Sequence, residues 1–372
     1  MQKKVIVSVI NDLVTDQRVN KVCQTLLSMK CDVLLVGRKM HNSPELDSRE
    51  YKMHRMNLMF EKGPLFYTEF NIRLFLLLIF KRADMLISND LDTLIPNYLV
   101  SKIKKTPLVY DSHEYFTEVP ELVKRKHIQH IWKFIERKIF PKLTNVITVN
   151  DSIADLYYND YGIRPYVVRN IPRSTKSPIK ATRKSLGLPE DTNILILQGS
   201  GINVQRGAEE LIEAMQFVDN AILLIIGGGD VINHLIEMVS KLGIKNKIIF
   251  KPRLPYDQMM QYTAVADLGL TLDKATNLNY KYSLPNKLFD YIQAGIPVLS
   301  SPLPEIEKII TKYDVGDFIS DHKPRNIAEK INHILNNQAL ITKWKKNCSL
   351  AAEKLTWENE ETILKEIYSK YV

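Results

Sequence analysis

Two side chains of opposite charge, Lys287 and Asp290, stand one helical turn apart in the stretch SLPNKLFDYIQAGIPVLSS (283–301). Pro285 suits the first turn of a helix, and Gly295 with Pro297 stops it, so a short helix should lead directly into a buried strand. Such a start leaves the N–H groups near Asn286–Leu288 unpaired beside the Lys287 ammonium, which together make an anion site. Asp290 follows on the same face. Its carboxylate can accept hydrogen bonds from a pair of hydroxyls, as acidic side chains do with ribose. The plainer reading is a Lys287–Asp290 surface ion pair contributing less than about 1 kcal/mol.

What favours a ligand is a second anion site. In LQGSGINVQRGAEELIEAM (197–215), Gly199, Ser200 and Gly201 turn a strand into a helix that begins near Gly207. Glycine permits backbone conformations that other residues resist. A helix start offers N–H groups and partial positive charge to a phosphate, and Arg206 adds a planar donor for its oxygens. The Gly-Lys-Ser/Thr ending of a P-loop is absent. A third loop, LIIGGGDVINHL (224–235), carries Gly227, Gly228 and Gly229, which let the backbone approach something closely, and Asp230, read as the cap of the next helix. Two anion sites and a diol acceptor in one half of the chain describe a nucleotide diphosphate site.

The first half offers polar residues at strand ends. LVYDSHEYFTEVPEL (108–122) places Asp111, Ser112, His113 and Glu114 after a buried run, with no second histidine at metal-ligand spacing. In VINDLVTDQRVNKVCQTL (9–26), no glycine occupies the first strand-to-helix turn. Thr15 or Asp16 reads there as a helix cap. Asn11, Asp12, Thr15 and Asp16 with Arg18 form a polar rim, and those not used as the cap suit a hydroxyl-rich acceptor. The helix ELVKRKHIQHIWKFIERKIFPK (121–142) interleaves Ile131, Trp132, Phe134 and Ile135 with basic residues. That pattern suits an anionic membrane surface, and the plainer reading is a solvated helix with its apolar stripe on the core.

These loops need strands to position them. Runs at Val5–Ile10, Asp32–Val36, Met85–Ser88, Leu108–Tyr110 and Asn145–Val149 alternate with helical patterns at 16–29, 92–104, 119–139 and 151–160. After a Pro-marked linker with Pro172, Pro178 and Pro189, the rhythm resumes at Ile194–Leu197, Ile222–Ile226, Lys247–Phe250, Leu268–Leu272, Pro297–Ser300 and Gly316–Ile319. Helices are expected between them at 207–216, 231–242, 256–265, 285–293, 303–312 and 325–336. Strands without in/out alternation, separated by helices, predict parallel sheets covered on both faces. The fold class is therefore α/β, with two Rossmann-like doubly wound domains facing across a cleft. Their predicted spans are 1–172 and 173–352, with a C-terminal helix over 353–372 that can pack back on the first domain.

A chain of 372 residues with 45% hydrophobic and 25% charged residues accommodates two such cores. The net charge of +9 suits phosphate-bearing ligands, an anionic membrane surface or nucleic acid, without choosing among them. No nucleic-acid module is present by motif. Cys23, Cys31 and Cys348 show neither metal nor disulfide spacing, which fits a reducing cytosol. The N-terminal apolar run is too short for a signal peptide. LFLLLIF (74–80) falls far below the roughly 20 residues that span a bilayer. A cytoplasmic protein, able to sit at the inner face of the cell membrane, is expected.

Taken in order, QGSG…QRGAEELIEAM, LLIIGGGD, AVADLGL and SLPNKLFDYIQAGIPVLSS resemble glycosyltransferase family 4, the retaining GT-B enzymes. NDLVTDQRVNKV, LVYDSHEYFTE and VRNIP resemble a bacterial branch that builds surface polysaccharides. The resemblance covers nearly the whole chain. It implies an N-terminal acceptor domain, with contacts at Asn11, Asp12, Asp16, Arg18 and Glu114. It implies a C-terminal donor domain, with contacts at Gly199, Ser200, Gly201, Arg206, Gly227, Gly228, Arg253, Tyr282, Ser283, Leu284, Pro285, Asn286, Lys287, Leu288 and Asp290.

Of the family's two glutamates seven residues apart, Asp290 falls on the second, the ribose clamp, and Tyr282 replaces the first. Arg206 matches the family's basic residue before glycine. The basic residue expected earlier in that loop is replaced around Ser200–Gly201, so Lys287 shares the diphosphate. His113 matches the first-domain histidine near the donor sugar, so the implied catalytic residues are His113, Arg206 and Lys287. The implied reaction is metal-independent transfer, with retention, from a UDP- or GDP-linked sugar to a hydroxyl of a glycan or lipid-linked acceptor, with domain closure around 170–180 excluding water. The alternatives are a GT-B sugar-nucleotide epimerase and a non-catalytic sugar-nucleotide-binding protein, the latter encouraged by Tyr282.

Overall fold

The computed structural model describes residues 2–14, 16–41, 43–174 and 181–372. The chain forms two compact units, Met1–Asn170 with Glu358–Val372, and Ile171–Trp357. The terminal segment is fastened to the first unit by polar contacts. Glu360 pairs with Arg169, Thr25 donates to Glu361 at 2.9 Å, and Asn145 donates to the Tyr371 hydroxyl at 2.6 Å. Residues 175–180 of the linker, with Pro178, and the alternative cap Thr15 lie outside the described residues.

Each unit is one parallel sheet with helices on both faces, the doubly wound arrangement expected from the sequence. In the first unit the strands are β1 (Lys4–Ser8), β2 (Asp32–Lys39), β3 (Lys52–Asn57), β4 (Met85–Asn89), β5 (Leu108–Ser112), β6 (Asn145–Thr148) and β7 (Tyr166–Val167). Their order across the sheet is β3-β2-β1-β4-β5-β6-β7. The second unit holds β8 (Asn193–Gly199), β9 (Ala221–Gly227), β10 (Ile248–Lys251), β11 (Leu268–Thr271), β12 (Val298–Ser300) and β13 (Gly316–Phe318). Their order is β10-β9-β8-β11-β12-β13. All registered pairs are parallel, from Val5 opposite Val33 and Met85 to Gly199 opposite Gly227.

The absence of in/out alternation has a visible cause. Along β8 and β9, Ile194, Ile196, Ile222 and Leu224 pack into one apolar cluster, while Leu195, Leu197, Leu223 and Ile225 pack into another. Both faces are buried, so successive positions from Ile194 to Leu197 and from Ile222 to Ile225 are all apolar. Two strands escape the sequence pattern. Lys52–Asn57 (KMHRMN) is a partly exposed edge strand, and Tyr166–Val167 is two residues long.

LFLLLIF (74–80) is the second half of a longer helix, Gly63–Phe80. Phe66, Phe70, Leu74 and Leu78 form its buried stripe, while Leu65, Ile72, Leu76 and Phe80 are exposed. Because both faces are apolar, no helical period shows in the sequence. It is the one described helix long and apolar enough to cross a membrane by length and composition.

In open parallel sheets, ligands bind beyond the carboxyl ends of the strands, where the strand order reverses. Here those points lie between β1 and β4 and between β8 and β11.

Candidate functional site

In the second unit, the loop after β8 and the turn after β11 bring Arg206 and Lys287 onto one buried carboxylate. Asp273, two residues beyond β11, accepts from Arg206 Nη1 at 3.1 Å through Oδ1. Its Oδ2 lies 3.5 Å from Lys287 Nζ and accepts from Thr271 Oγ1 at 3.1 Å. Burial alone would raise the Asp273 carboxyl. The Lys287 and Arg206 charges outweigh that and hold it below the usual carboxylate range. Lys287 is only 11% exposed, and burial lowers its ammonium against the pull of Asp273.

The trio keeps one net positive charge. Arg206 is further fixed by stacking 4.6 Å over the Tyr280 ring, and its Nε is buried without a partner. Gly207 makes the approach feasible. Its φ is +75°, and a Cβ there would lie 2.2 Å from the Leu272 carbonyl oxygen, so only glycine lets Arg206 reach Asp273.

The helix Asn286–Gln293 starts at Pro285 with no side-chain cap. The Leu288 N–H, expected to be unpaired, donates to the Pro285 carbonyl at 3.1 Å. The exposed start is therefore confined to Asn286 and Lys287. No Lys287–Asp290 pair forms. Asp290 is 6% exposed and accepts from the Tyr256 hydroxyl at 2.9 Å and Gln198 Nε2 at 3.2 Å. A ribose diol would share that carboxylate with Tyr256. Tyr282 ends the short helix Leu278–Lys281 with its ring half-buried under the Lys281 ammonium. Ser283 Oγ donates to the Tyr280 carbonyl, and Leu284 packs against the apolar cluster beneath.

The other glycines pack loop on loop. A Cβ on Gly227 would lie 1.8 Å from the Gly199 carbonyl oxygen, so the close approach that these glycines permit is that of β9's end to β8's end. Arg253 lies across Gly228 and donates to the Ser200 carbonyl at 2.5 Å, closing the same corner beside Gly201. Asp230 is not the helix cap. The helix Ile232–Leu242 has no side-chain cap, and Asp230 accepts from the Val204 N–H at 3.1 Å, bracing the 199–207 loop.

In the first unit, His113 follows β5 and is gripped on both ring nitrogens. Nδ1 lies 3.2 Å from Asp90 Oδ2, Nε2 lies 3.1 Å from the Asn89 amide oxygen, and the main-chain N–H donates to Asp90 Oδ1 at 2.8 Å. Asn89 is itself oriented by its donation to the Ser8 carbonyl. Two acceptors on one ring require two protons. Burial opposes the charged form, but Asp90 and Asp111 outweigh it and push His113 up to about 9. Asp90 holds this geometry from a left-handed backbone (φ +58°, ψ 168°) that side chains rarely adopt, a strain that gathers at functional sites.

The folded value lies above the ordinary 6.5, so this ion pairing contributes stability fully below about pH 6.5 and loses it as pH rises through about 9. An NMR titration should find His113 protonated at pH 7.5, and Asp90→Asn should bring its midpoint down.

Three rim residues are used internally. Arg18 is buried, donating to both Asp111 oxygens at 3.1 and 2.8 Å and to the Val168 carbonyl at 2.8 Å, so it supports Asp111 beneath His113 and does not face an acceptor. Asp12 is buried and pairs with Arg55 at 2.8 Å. Asp16 caps the helix Gln17–Ser28 through the Val19 N–H and receives Asn11 Nδ2 at 3.4 Å, leaving Asn11 itself exposed. Glu114 is half-buried, its main-chain carbonyl accepting from Ser112 Oγ. Among the described residues, no three His, Cys, Asp or Glu side chains are placed to share a metal ion.

Two family models match the chain: Glycosyltransferase Family 4 over residues 17–174 and Glycosyl transferases group 1 over 178–350. A chitobiosyldiphosphodolichol beta-mannosyltransferase of Candida albicans is 23% identical over 225 residues, 55% of this chain and 48% of the relative. The chain spans about half the length of the curated relatives it matches. The structure of a sucrose-phosphate synthase from Thermosynechococcus elongatus matches with a TM-score of 0.80 at 16% identity, covering 99% of both chains. Anabaena HepE, solved in complex with UDP-glucose, matches at 0.74 and 15%, again over 99% of each.

Proposed function

This chain belongs to glycosyltransferase family 4 and has the GT-B fold, and we propose that it transfers a sugar, with retention, from a nucleotide diphosphate donor to a hydroxyl acceptor. The observation that carries this reading is the convergence of Arg206 and Lys287 on Asp273 at the β8/β11 switch point. A departing diphosphate gathers negative charge, and two cations fixed in advance stabilise it without reorganising, often the largest single contribution to catalysis. Asp273 positions both. Asp290, shared with Tyr256, is assigned to the ribose. UDP is favoured as the carrier because structural neighbours such as HepE bind UDP-glucose, with GDP as the second candidate.

In the first unit, His113 supplies a fixed positive charge, with Asp90 and Asp111 as positioning residues. The acceptor is a glycan or a lipid-linked saccharide of surface polysaccharide synthesis, and no bound metal is required. The protein is assigned to the cytoplasm at the inner membrane face. On the basic helix Lys126–Ile139, Trp132 is buried but Ile131 and Phe134 are 60% and 61% exposed, which supports contact with anionic lipid. Co-sedimentation with phosphatidylglycerol vesicles at low salt should drop when both become serine. Equal binding would remove this helix from the proposal.

Turnover separates the alternatives. Offered UDP- and GDP-sugars with and without glycan or lipid-linked saccharide acceptors, a transferase releases nucleotide in an acceptor-dependent manner. An epimerase changes the sugar nucleotide alone, and a binding protein releases nothing. Either of the last two outcomes would overturn the transferase reading.

A further inference from the structure

Neither oxygen of the Asp290 carboxylate is left to orient itself. Oδ1 accepts from the Tyr256 hydroxyl at 2.9 Å, and Oδ2 accepts from Gln198 Nε2 at 3.2 Å. The two donors come from different elements. Tyr256 opens the helix Tyr256–Ala264, and Gln198 is the penultimate residue of β8.

Each donor is itself fixed. Gln198 is fully buried, and its amide oxygen accepts from Thr263 Oγ1 at 2.6 Å, which turns Nε2 toward Asp290. Its main-chain N–H donates at 3.3 Å to the hydroxyl of Tyr291, the residue next to Asp290. The helix Asn286–Gln293 therefore grips the end of β8 twice. Tyr256 is half-buried. Burial and the Asp290 charge hold its hydroxyl far above the ordinary phenol range, so it stays a donor. Tyr256 and Thr263 lie on one helix, which thus reaches both carboxylate oxygens, one directly and one through Gln198.

The last torsion of an aspartate is broad, so an untied carboxylate turns its plane freely. A ribose presents two adjacent hydroxyls, and a carboxylate meets both only when its plane is turned to face them. Each carboxylate oxygen carries two lone pairs and can accept a second hydrogen bond beside the first. Fixing the plane in advance removes the cost of ordering it on binding. We propose that Tyr256 and Gln198, the latter oriented by Thr263, are positioning residues that lock the Asp290 carboxylate for the ribose diol and set a preference for ribonucleotides. The proposal rests on the assignment of Asp290 to the ribose.

Calorimetric titration of the full chain with UDP, GDP and their 2′,3′-dideoxy counterparts tests it. The wild type should bind its preferred ribonucleotide at least about tenfold more tightly than the dideoxy form, as hydrogen bonds to a charged group require. Tyr256→Phe and Gln198→Leu should each weaken the ribonucleotide about fivefold and leave the dideoxy form within about twofold, so the preference shrinks. Tyr256→Phe removes one oxygen from a half-buried ring, and it decides the matter if Gln198→Leu fails to fold. The proposal is overturned if a variant that melts like the wild type keeps the full preference. It is equally overturned if both forms weaken alike, as a merely structural tie would produce. Tighter ribonucleotide binding by Tyr256→Phe would also overturn it, by making the tyrosine a competitor for Asp290. A wild type that binds ribo and dideoxy forms equally refutes it and leaves a nucleotide site in the second unit. A wild type that binds no nucleotide refutes that site as well.

Discussion

Arg206→Ala is expected to lower kcat/KM by about 10²–10³-fold, the usual effect of deleting one preorganised donor at a developing negative charge. The melting temperature should hardly move. Arg206 is 26% exposed, and its removal leaves Asp273 still paired with Lys287 and Thr271. Lys287→Ala should cost as much activity and more stability, because Lys287 is the more deeply buried partner of Asp273. Acceptor-dependent nucleotide release and a thermal melt on each variant check both statements. A rate within threefold of wild type for Arg206→Ala would remove the guanidinium from the reaction.

Arg18→Ala should be the most destabilising of the substitutions considered, by about 3–5 kcal/mol, because it strips a buried carboxylate of its partner. Asp111 is fully buried, and Arg18 supplies two of its hydrogen bonds. Burial raises the Asp111 carboxyl, but the Arg18 and His113 charges hold it far below the ordinary value. Its contribution is therefore fully present above the ordinary carboxylate range and is lost as pH falls below that range and through the depressed folded value. Urea unfolding at pH 7 should show the loss in the first unit, and the variant should lose its remaining stability at a higher pH than the wild type on acidification. A denaturation midpoint equal to wild type would return Arg18 to the surface rim.

The two sheets were readable from the sequence because strands buried on both faces are apolar throughout, as Ile194 to Leu197 shows. The edge strand Lys52–Asn57 was not, since one exposed side breaks that pattern. The helix Gly63–Phe80 was hidden because its exposed side is apolar as well. In the candidate site, Arg206 and Lys287 stood out by helix-start chemistry, while the carboxylate that unites them did not.

Asp273 and Asp90 nevertheless carry the signal that singled out His113, a polar side chain just beyond a buried strand. Both lie at points where the strand order reverses. Only the strand order distinguishes those ends from others, and strand order is a long-range property. Arg18 and Asp12 misled for the converse reason. A charged residue in a loop reads as exposed until its partner, here Asp111 or Arg55, is brought from a distant strand.

A nucleotide diphosphate is proposed to lie in the second unit between Arg206, Lys287 and Asp290. Calorimetric titration of the wild type, Arg206→Ala and Asp290→Ala with UDP and GDP tests it most directly. The wild type should bind one of the two with a 1:1 stoichiometry, and each variant should weaken that binding by at least about tenfold. Wild-type affinity in both variants, or no binding of either nucleotide by the wild type, would contradict it.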